Sequence, residues 1–105
     1  MSVAPVAVSS GGVAGFALAP PTPNPSAAST ELTFSLPAAA AATLDVFDVA
    51  GPRVRSLVRE VQPAGRQSVR WDGRDDRGGA VHGGLYFVRL VAGGRTATAR
   101  LALLR

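Results

Sequence analysis

The sequence predicts an all-β protein built as a small antiparallel β-sandwich of six or seven strands. Three observations support this prediction: short segments alternate apolar and polar residues, clusters of Gly, Pro, Asn and Asp separate them at regular spacing, and no segment repeats with a helical period. Alternation of this kind is typical of strands that bury one face. At 105 residues, the chain forms at most one domain.

The N-terminal region is predicted to precede the sandwich. Residues 1–12 are mainly Ser, Gly, Ala and Val without a period, and residues 13–18 are compatible with a short edge strand. We therefore interpret residues 1–19 as a linker, or as the tail of an upstream region, and residues 20–105 as the folded domain. The stretch Pro20–Pro25 is rich in proline, which fixes φ and lacks an amide donor, so it is expected to be extended and unable to lie inside a sheet.

The middle of the chain is predicted to hold one strand followed by a hairpin. Leu32–Leu36 alternates as a half-buried strand, whereas Ala38–Ala42 is too short for an isolated helix and is interpreted as a connection. The turn-forming residues after Thr43–Val49 predict a hairpin with Arg53–Arg59. Leu57 breaks the alternation in the second arm and is predicted to mark a β-bulge.

The stretch from Arg66 to Leu90 contains the only Trp, the only Tyr and the only His of the chain. Trp71 lies near the end of one alternating segment and Tyr86 near the beginning of the next, with a polar, glycine-rich loop between them. We interpret the two segments as the arms of an antiparallel hairpin. A last strand is predicted over residues 96–103, where Ala and Leu alternate with Thr and Arg.

Trp71 and Tyr86 are predicted to anchor the core, because a buried aromatic ring removes about 150–250 Å² from water. The other core positions are apolar residues at alternate positions of the predicted strands. The predicted core comprises Leu32, Phe34, Leu36, Leu44, Val46, Val69, Trp71, Tyr86, Val88, Leu90 and Leu101.

The charge pattern argues against a nucleic-acid-binding protein. The formal net charge is +4, and all 11 basic residues are arginines scattered along the chain instead of forming a stripe beside aromatic residues. The charge sign allows a diffuse attraction to anionic surface polysaccharide. No stretch is apolar and long enough to span a bilayer, and the N-terminus lacks the basic region of a signal peptide.

No catalytic, cofactor-binding or metal-binding residues are predicted. Asp72, Asp75 and Asp76 suggest a calcium loop, but their spacing lacks the alternation and the distal Glu of such loops, so we expect them to cap turns. His82 has no nucleophile motif around it and is interpreted as a loop residue. The absence of cysteine removes disulfides, Cys zinc sites and thiol nucleophiles.

A series of short motifs runs in order from Phe16 to Arg105: Pro-Asn-Pro, Val-Phe-Asp with a following Gly, Trp-Asp-Gly and Gly-Leu-Tyr-Phe. The series resembles the Ig-like C-terminal domain related to the flagellar hook-capping protein, which recurs as the C-terminal sorting domain of type IX secretion cargo. Two departures are Ser26–Ala28, where the family usually has Phe-Asn-Pro, and Gly83, where it commonly has Ser. The family-motif positions are Pro23, Asn24, Pro25, Asp48, Gly51, Asp72, Gly73 and Gly84.

The resemblance implies an Ig-like sandwich that performs no chemistry and sorts or anchors an upstream cargo at the cell surface. Its partners would be the secretion translocon, the covalently linked cargo and anionic surface polysaccharide, and its location would be secreted or on the cell surface. Leu103, Leu104 and Arg105 become the recognition candidates, since an accessible terminal strand can be recognised through main-chain pairing. The alternative is a structural spacer or assembly domain, as in the hook cap.

Overall fold

The fold consists of seven β-strands arranged in two sheets. The computed structural model describes residues 15–105, and the predicted linker over residues 1–12 lies outside them. The strands are β1 (Ala17–Leu18), β2 (Thr30–Leu36), β3 (Ala40–Asp48), β4 (Arg53–Gln62), β5 (Gly65–Trp71), β6 (Gly84–Ala92) and β7 (Arg95–Leu103). One sheet has the order β1-β2-β5 and the other the order β4-β3-β6-β7, with antiparallel neighbours throughout. The all-β prediction is confirmed.

The core lies between the two sheets and is formed by alternate residues of each strand. The predicted core residues are buried, with the exception of Val69, which is half-buried against the same cluster. In β6, for example, Tyr86, Val88 and Leu90 face inward while Arg89 is exposed. The period-2 pattern of the sequence therefore identifies the inner face of the strands correctly.

The folded domain begins earlier than predicted. Phe16 and Leu18 are buried in the core, although both fall within the segment interpreted as a linker. Their strand, β1, pairs with β2 through Ala17 opposite Ser35. The expected edge strand is thus present at Ala17–Leu18, and the sandwich includes residues before position 20.

The interpretation of Ala38–Ala42 as a connection is correct for residues 38–39 and wrong for residues 40–42. Residues 40–42 form the first part of β3, where Ala42 pairs with Glu60 of β4 and with Ala92 of β6. Ala42 is buried, so its small side chain suits a position between two neighbouring strands. Pairing on both sides overrides the weak local preference of alanine for helix.

The hairpin of β3 and β4 is confirmed, as is the bulge at Leu57. Leu44 pairs with Val58 while the next residue of β3, Asp45, pairs with Ser56, so Leu57 is the extra residue. A second register shift leaves Val54 as an extra residue nearer the turn. Both bulged residues pack against the core in part.

The predicted hairpin between the Trp71 segment and the Tyr86 segment is wrong. β5 pairs with β2 in the smaller sheet, whereas β6 pairs with β3 and β7 in the larger one. The loop of residues 72–83 carries the chain from one sheet to the other. Trp71 and Tyr86 therefore meet across the sandwich, with ring centroids 5.5 Å apart in an edge-to-face arrangement.

Candidate functional site

The end of β7 is covered on its outer edge by a segment of the same chain. We call this segment, residues 22–26, the strap. Asn24 Nδ2 donates a hydrogen bond to Arg100 O (2.9 Å), and Ala102 N donates to Asn24 Oδ1 (3.0 Å). The carboxamide of Asn24 therefore supplies the donor and the acceptor that a neighbouring strand would supply.

Ser26 continues this pairing through its main chain. Ser26 N donates to Ala102 O (2.9 Å), and Leu104 N donates to Ser26 O (2.8 Å). The strap runs parallel to β7 here, with Ser26 beside Leu103. Ser26 is buried, and its hydroxyl donates to Ser29 O (2.9 Å), which helps to turn the chain toward β2.

The sequence of the strap explains why a side chain takes part. Pro23 and Pro25 have no amide hydrogen and cannot donate to a sheet edge. Asn24 between them compensates with its carboxamide. The prediction of an extended segment is wrong, because the chain bends at residues 23–25 and the Thr22-Pro23 and Asn24-Pro25 peptide bonds are cis. The segment lies along a sheet edge.

The last strand was expected to have an accessible edge. This expectation is wrong from Arg100 to Leu104, because the main-chain groups on the outer edge there already form hydrogen bonds with the strap. The side chain of Leu103 is 3% exposed and points into the core, so it cannot be a surface contact, although the sequence pointed to it as a recognition candidate. Leu104, in contrast, is 59% exposed.

Arg105, the third recognition candidate, lies against two glycines. Its Nη2 donates to Gly73 O (3.2 Å), and its backbone packs against Gly83. A Cβ on Gly73 would collide with the Arg105 guanidinium, and Gly73 also has a φ of +75°, which favours glycine. The structure thus brings two glycines of the loop between β5 and β6 together with the last residue.

The aspartates of this loop act as turn caps. Asp72 Oδ1 accepts from Arg74 N (3.1 Å), and Asp75 Oδ1 accepts from the amides of Arg77 and Gly79 (2.9 Å each). These bonds confirm the capping interpretation. Within residues 15–105, no three His, Cys, Asp or Glu side chains are grouped so that they could hold a metal ion.

Asp76 covers part of the opposite edge of the larger sheet. Asp76 N donates to Val54 O (3.0 Å), and Ser56 N donates to Asp76 Oδ1 (2.9 Å). Arg53 Nη2 lies 3.6 Å from Asp76 Oδ2, in an exposed ion pair of small energetic value. Sequence reasoning missed this long-range contact.

Tyr86 and His82 meet at the end of the same loop. The hydroxyl of Tyr86 donates to His82 O (2.6 Å), so His82 contributes its carbonyl while its side chain is exposed. Burial raises the pKa of Tyr86 above its ordinary value, and the charge of Asp48 raises it further, while Arg105 acts in the opposite direction.

The remaining family-motif positions build turns. Asp48 Oδ1 accepts from the amides of Ala50 (2.8 Å) and Gly51 (3.1 Å), which closes the turn between β3 and β4. Gly51 has a φ of +111° and Gly84 a φ of +150°, and L-residues rarely adopt either conformation.

The outer face of the larger sheet carries two contacts that the sequence did not reveal. The guanidinium of Arg89 lies over the ring of Phe47, 4.4 Å from its centroid. Asp45, which is nearly buried, has an oxygen 3.7 Å from Arg59 Nη2. Asp45 on β3 also pairs in register with Arg89 on β6, so a second arginine lies opposite Asp45 on the neighbouring strand.

Family comparison finds one domain type in this chain. The family model described as the FlgD Ig-like domain matches residues 22–95. No curated protein matches the chain. No helix within residues 15–105 has the length and apolar character to cross a membrane.

Two solved structures share the fold. FlgD from P. aeruginosa aligns with a TM-score of 0.58 and 23% identity, over 70% of this chain and 61% of that one. PorZ, a surface component of the type IX secretion system of Porphyromonas gingivalis, aligns with a TM-score of 0.56 and 20% identity, over 88% of this chain and 12% of that one. The chain therefore spans less than two thirds of each protein.

Proposed function

Because the chain belongs to the FlgD Ig-like domain family, we propose that it is a non-catalytic module which sorts or anchors an exported protein at the bacterial cell surface. Its partners are the upstream cargo to which it is joined and the components of a type IX translocon. Anionic surface polysaccharide is a third partner, attracted by the exposed arginines.

The observation that carries this proposal is the way in which residues 103–105 are held. Leu103 is anchored in the core, the strap bonds to the amide of Leu104, and Arg105 bonds to the loop at Gly73. The exposed side chain of Leu104 is thus presented on a fixed backbone. An apolar side chain whose flanking backbone is already ordered loses little conformational entropy when a protein partner covers it.

In this proposal, only Leu104 of the three recognition candidates contacts the translocon through its side chain. Leu103 and Arg105 position it, one by burial and the other by its bond to Gly73. The fold likeness to PorZ supports the type IX context, since PorZ is itself a surface component of that system and this module covers a small part of its length.

The aspartates of the loop between β5 and β6 have a structural role in this proposal, since their carboxylates cap turns. His82 contributes its carbonyl to the hydroxyl of Tyr86.

The proposal is tested by fusing residues 1–105 to the C-terminal end of a reporter that carries its own secretory signal. The fusion is expressed in a bacterium with type IX machinery and in an isogenic strain that lacks the translocon. Protease accessibility of the reporter on intact cells measures display. We expect display in the first strain alone, and a reporter that stays inside both strains would contradict sorting.

A pair of variants tests the role of Leu104. Leu104→Glu should lower display by about fivefold or more, since loss of an anchoring side chain costs at least about 1 kcal/mol. Val49→Glu is the matched control, because Val49 is a similarly exposed apolar residue (69%) in the turn after β3. Equal display of both variants would exclude Leu104 as the contact, and circular dichroism of the purified fusions verifies folding.

A second candidate function is a structural spacer or assembly domain of the hook-cap type. The alignment with FlgD, which covers 61% of that chain, favours it. Replacing the Ig-like module of a hook-cap protein by residues 15–105 tests this alternative. Retained swimming motility together with failed display of the reporter would favour assembly over sorting.

A further inference from the structure

The four edge strands of the sandwich differ in how far they are open to a further strand. The outer edge of β7 is occupied by the strap, and that of β4 is occupied at Val54 and Ser56 by Asp76. β1 has two residues and lies against β7. β5 is seven residues long, and no other segment of residues 15–105 pairs along its outer side.

The register of the smaller sheet shows which groups of β5 face this open side. On β2, Thr33 O accepts from Ala19 N (2.8 Å), and Glu31 exchanges two hydrogen bonds with Thr22 (2.7 and 3.1 Å). The odd residues of β2 thus face away from β5, and the even ones face it. Main-chain groups alternate between the two sides of a strand.

It follows that the odd residues of β5 bond to β2, and that Arg66, Ser68 and Arg70 direct their main-chain N–H and C=O groups outward. In residues 15–105, no hydrogen bond satisfies these outward groups. β5 thus offers three consecutive docking positions for an extended peptide.

The side chains at these positions determine which charge a peptide bound to β5 should carry. Val69 and Trp71 point toward the core, so Arg66, Ser68 and Arg70 lie on the outer face of the sheet and are exposed. Neither arginine forms an ion pair among the described residues, although Glu31 is the register neighbour of Arg70.

A second copy of this chain is a poor occupant of the edge. Two-fold pairing of β5 with another β5 about Ser68 places Arg66 of each copy opposite Arg70 of the other. Like charges directly opposite each other destabilise a strand pair, and charged residues on an edge are a usual protection against self-association. An acidic strand gains from the same two side chains.

We propose that β5 is a docking edge for an extended acidic segment of another protein, with carboxylates four residues apart opposite Arg66 and Arg70 and a small polar residue opposite Ser68. The spacing follows because alternate residues share a face, so residues 66 and 70 have neighbours at positions i and i+4 of the added strand. The net charge of +4 favours encounter with such a segment. This inference concerns binding alone and is independent of the export assay.

The experiment is an amide-resolved NMR titration of the full chain with a capped peptide of alternating Thr and Val that carries Glu at two positions four residues apart. A peptide with Lys at the same two positions is the control. We expect saturable shifts at the amides of residues 66, 68 and 70 with the Glu peptide only. Equal shifts with both peptides, shifts confined to other edges, or no shifts would overturn the proposal.

Variants separate main-chain pairing from charge. Ser68→Pro removes an outward amide, which an edge strand tolerates, and should lower the affinity at least about tenfold. Arg66→Gln and Arg70→Gln should each lower it by about 1.5- to 5-fold, whereas Arg95→Gln, an exposed arginine on β7, should leave it unchanged. Equal effects of all three Gln variants would contradict docking at β5.

A variant with reversed charges on β5 tests the proposal even if Ser68→Pro fails to fold. The double variant Arg66→Glu/Arg70→Glu should lose the Glu peptide and gain the Lys peptide. Persistent preference for the Glu peptide would overturn the assignment of these two arginines.

Discussion

Removal of the Asn24 carboxamide is expected to release the end of β7 without unfolding the domain. Asn24→Ala deletes two side-chain hydrogen bonds, one to Arg100 O and one from Ala102 N. At about 0.5–1.5 kcal/mol for each bond, reduced because both are solvent-exposed, the expected loss is about 1–2 kcal/mol. A domain of about 90 residues is stable by roughly 5–14 kcal/mol, so the variant remains folded.

The assay combines urea denaturation with amide hydrogen exchange. The amide of Ala102, which bonds to Asn24 Oδ1, should exchange about 5- to 30-fold faster, since 1.4 kcal/mol corresponds to a factor of ten. The amide of Leu104 should follow, because it bonds to Ser26 in the same strap. Amides in the middle of β6 should change only by the global loss.

The matched control is Gln67→Ala, which removes one exposed side-chain bond to Pro63 O (2.9 Å) far from the strap. Its exchange pattern on β7 should equal that of the wild type. Unchanged exchange at Ala102 in Asn24→Ala, or equal acceleration in both variants, would refute the reasoning that the carboxamide holds this edge.

Three further outcomes follow from the core and the loop. Trp71→Ala should lower the free energy of unfolding by about 3–5 kcal/mol, because the indole is fully buried and its Nε1 donates to Arg74 O (2.9 Å). Calorimetry should show that the cooperative unfolding transition is lost or occurs at a much lower temperature. An unchanged melting temperature would place Trp71 outside the core. The pKa of Tyr86 is raised in the folded state, so its contribution to the free energy of unfolding should be fully present below the ordinary tyrosine pKa of about 10 and fall as the pH rises above it. Urea titrations at several pH values measure this contribution, and Tyr86→Phe should remove the pH dependence. The melting temperature should be the same in calcium and in chelator, because the carboxylates of Asp72 and Asp75 already cap turns, and a calcium-dependent rise would contradict that assignment.

The sequence predicted which face of each strand is buried better than it predicted which strands pair with each other. Alternation shows that Trp71 and Tyr86 point inward, but it is the same whether two strands are adjacent in one sheet or face each other from two. The rings meet across the sandwich at 5.5 Å, a contact that the hairpin interpretation did not contain. Sheet membership depends on contacts that are distant in sequence, which a local pattern does not encode.

Local propensity also failed where tertiary pairing is strong. Ala40–Ala42 was interpreted as part of a connection, yet all three residues pair with β4, and Ala42 pairs with β6 as well. Leu57, by contrast, interrupts its own strand pattern, so the bulge was visible in the sequence.

The candidate site was the least predictable part. Two prolines around Asn24 indicated an extended segment, and only the structure shows that its side chain bonds to residues more than 70 positions away. Leu103 was chosen for its position near the chain end, whereas its alternation with Leu101 already indicated the buried side that the structure shows.

The parallel course of the strap and β7 has a mechanical consequence. A force that separates Thr22 from Arg105 acts on the two segments in opposite directions along their length. The four hydrogen bonds made by Asn24 and Ser26 then carry the load together, in shear, instead of opening one after another. The strap should therefore resist separation from β7 more strongly along the strand direction than across it, where the bonds would open one after another.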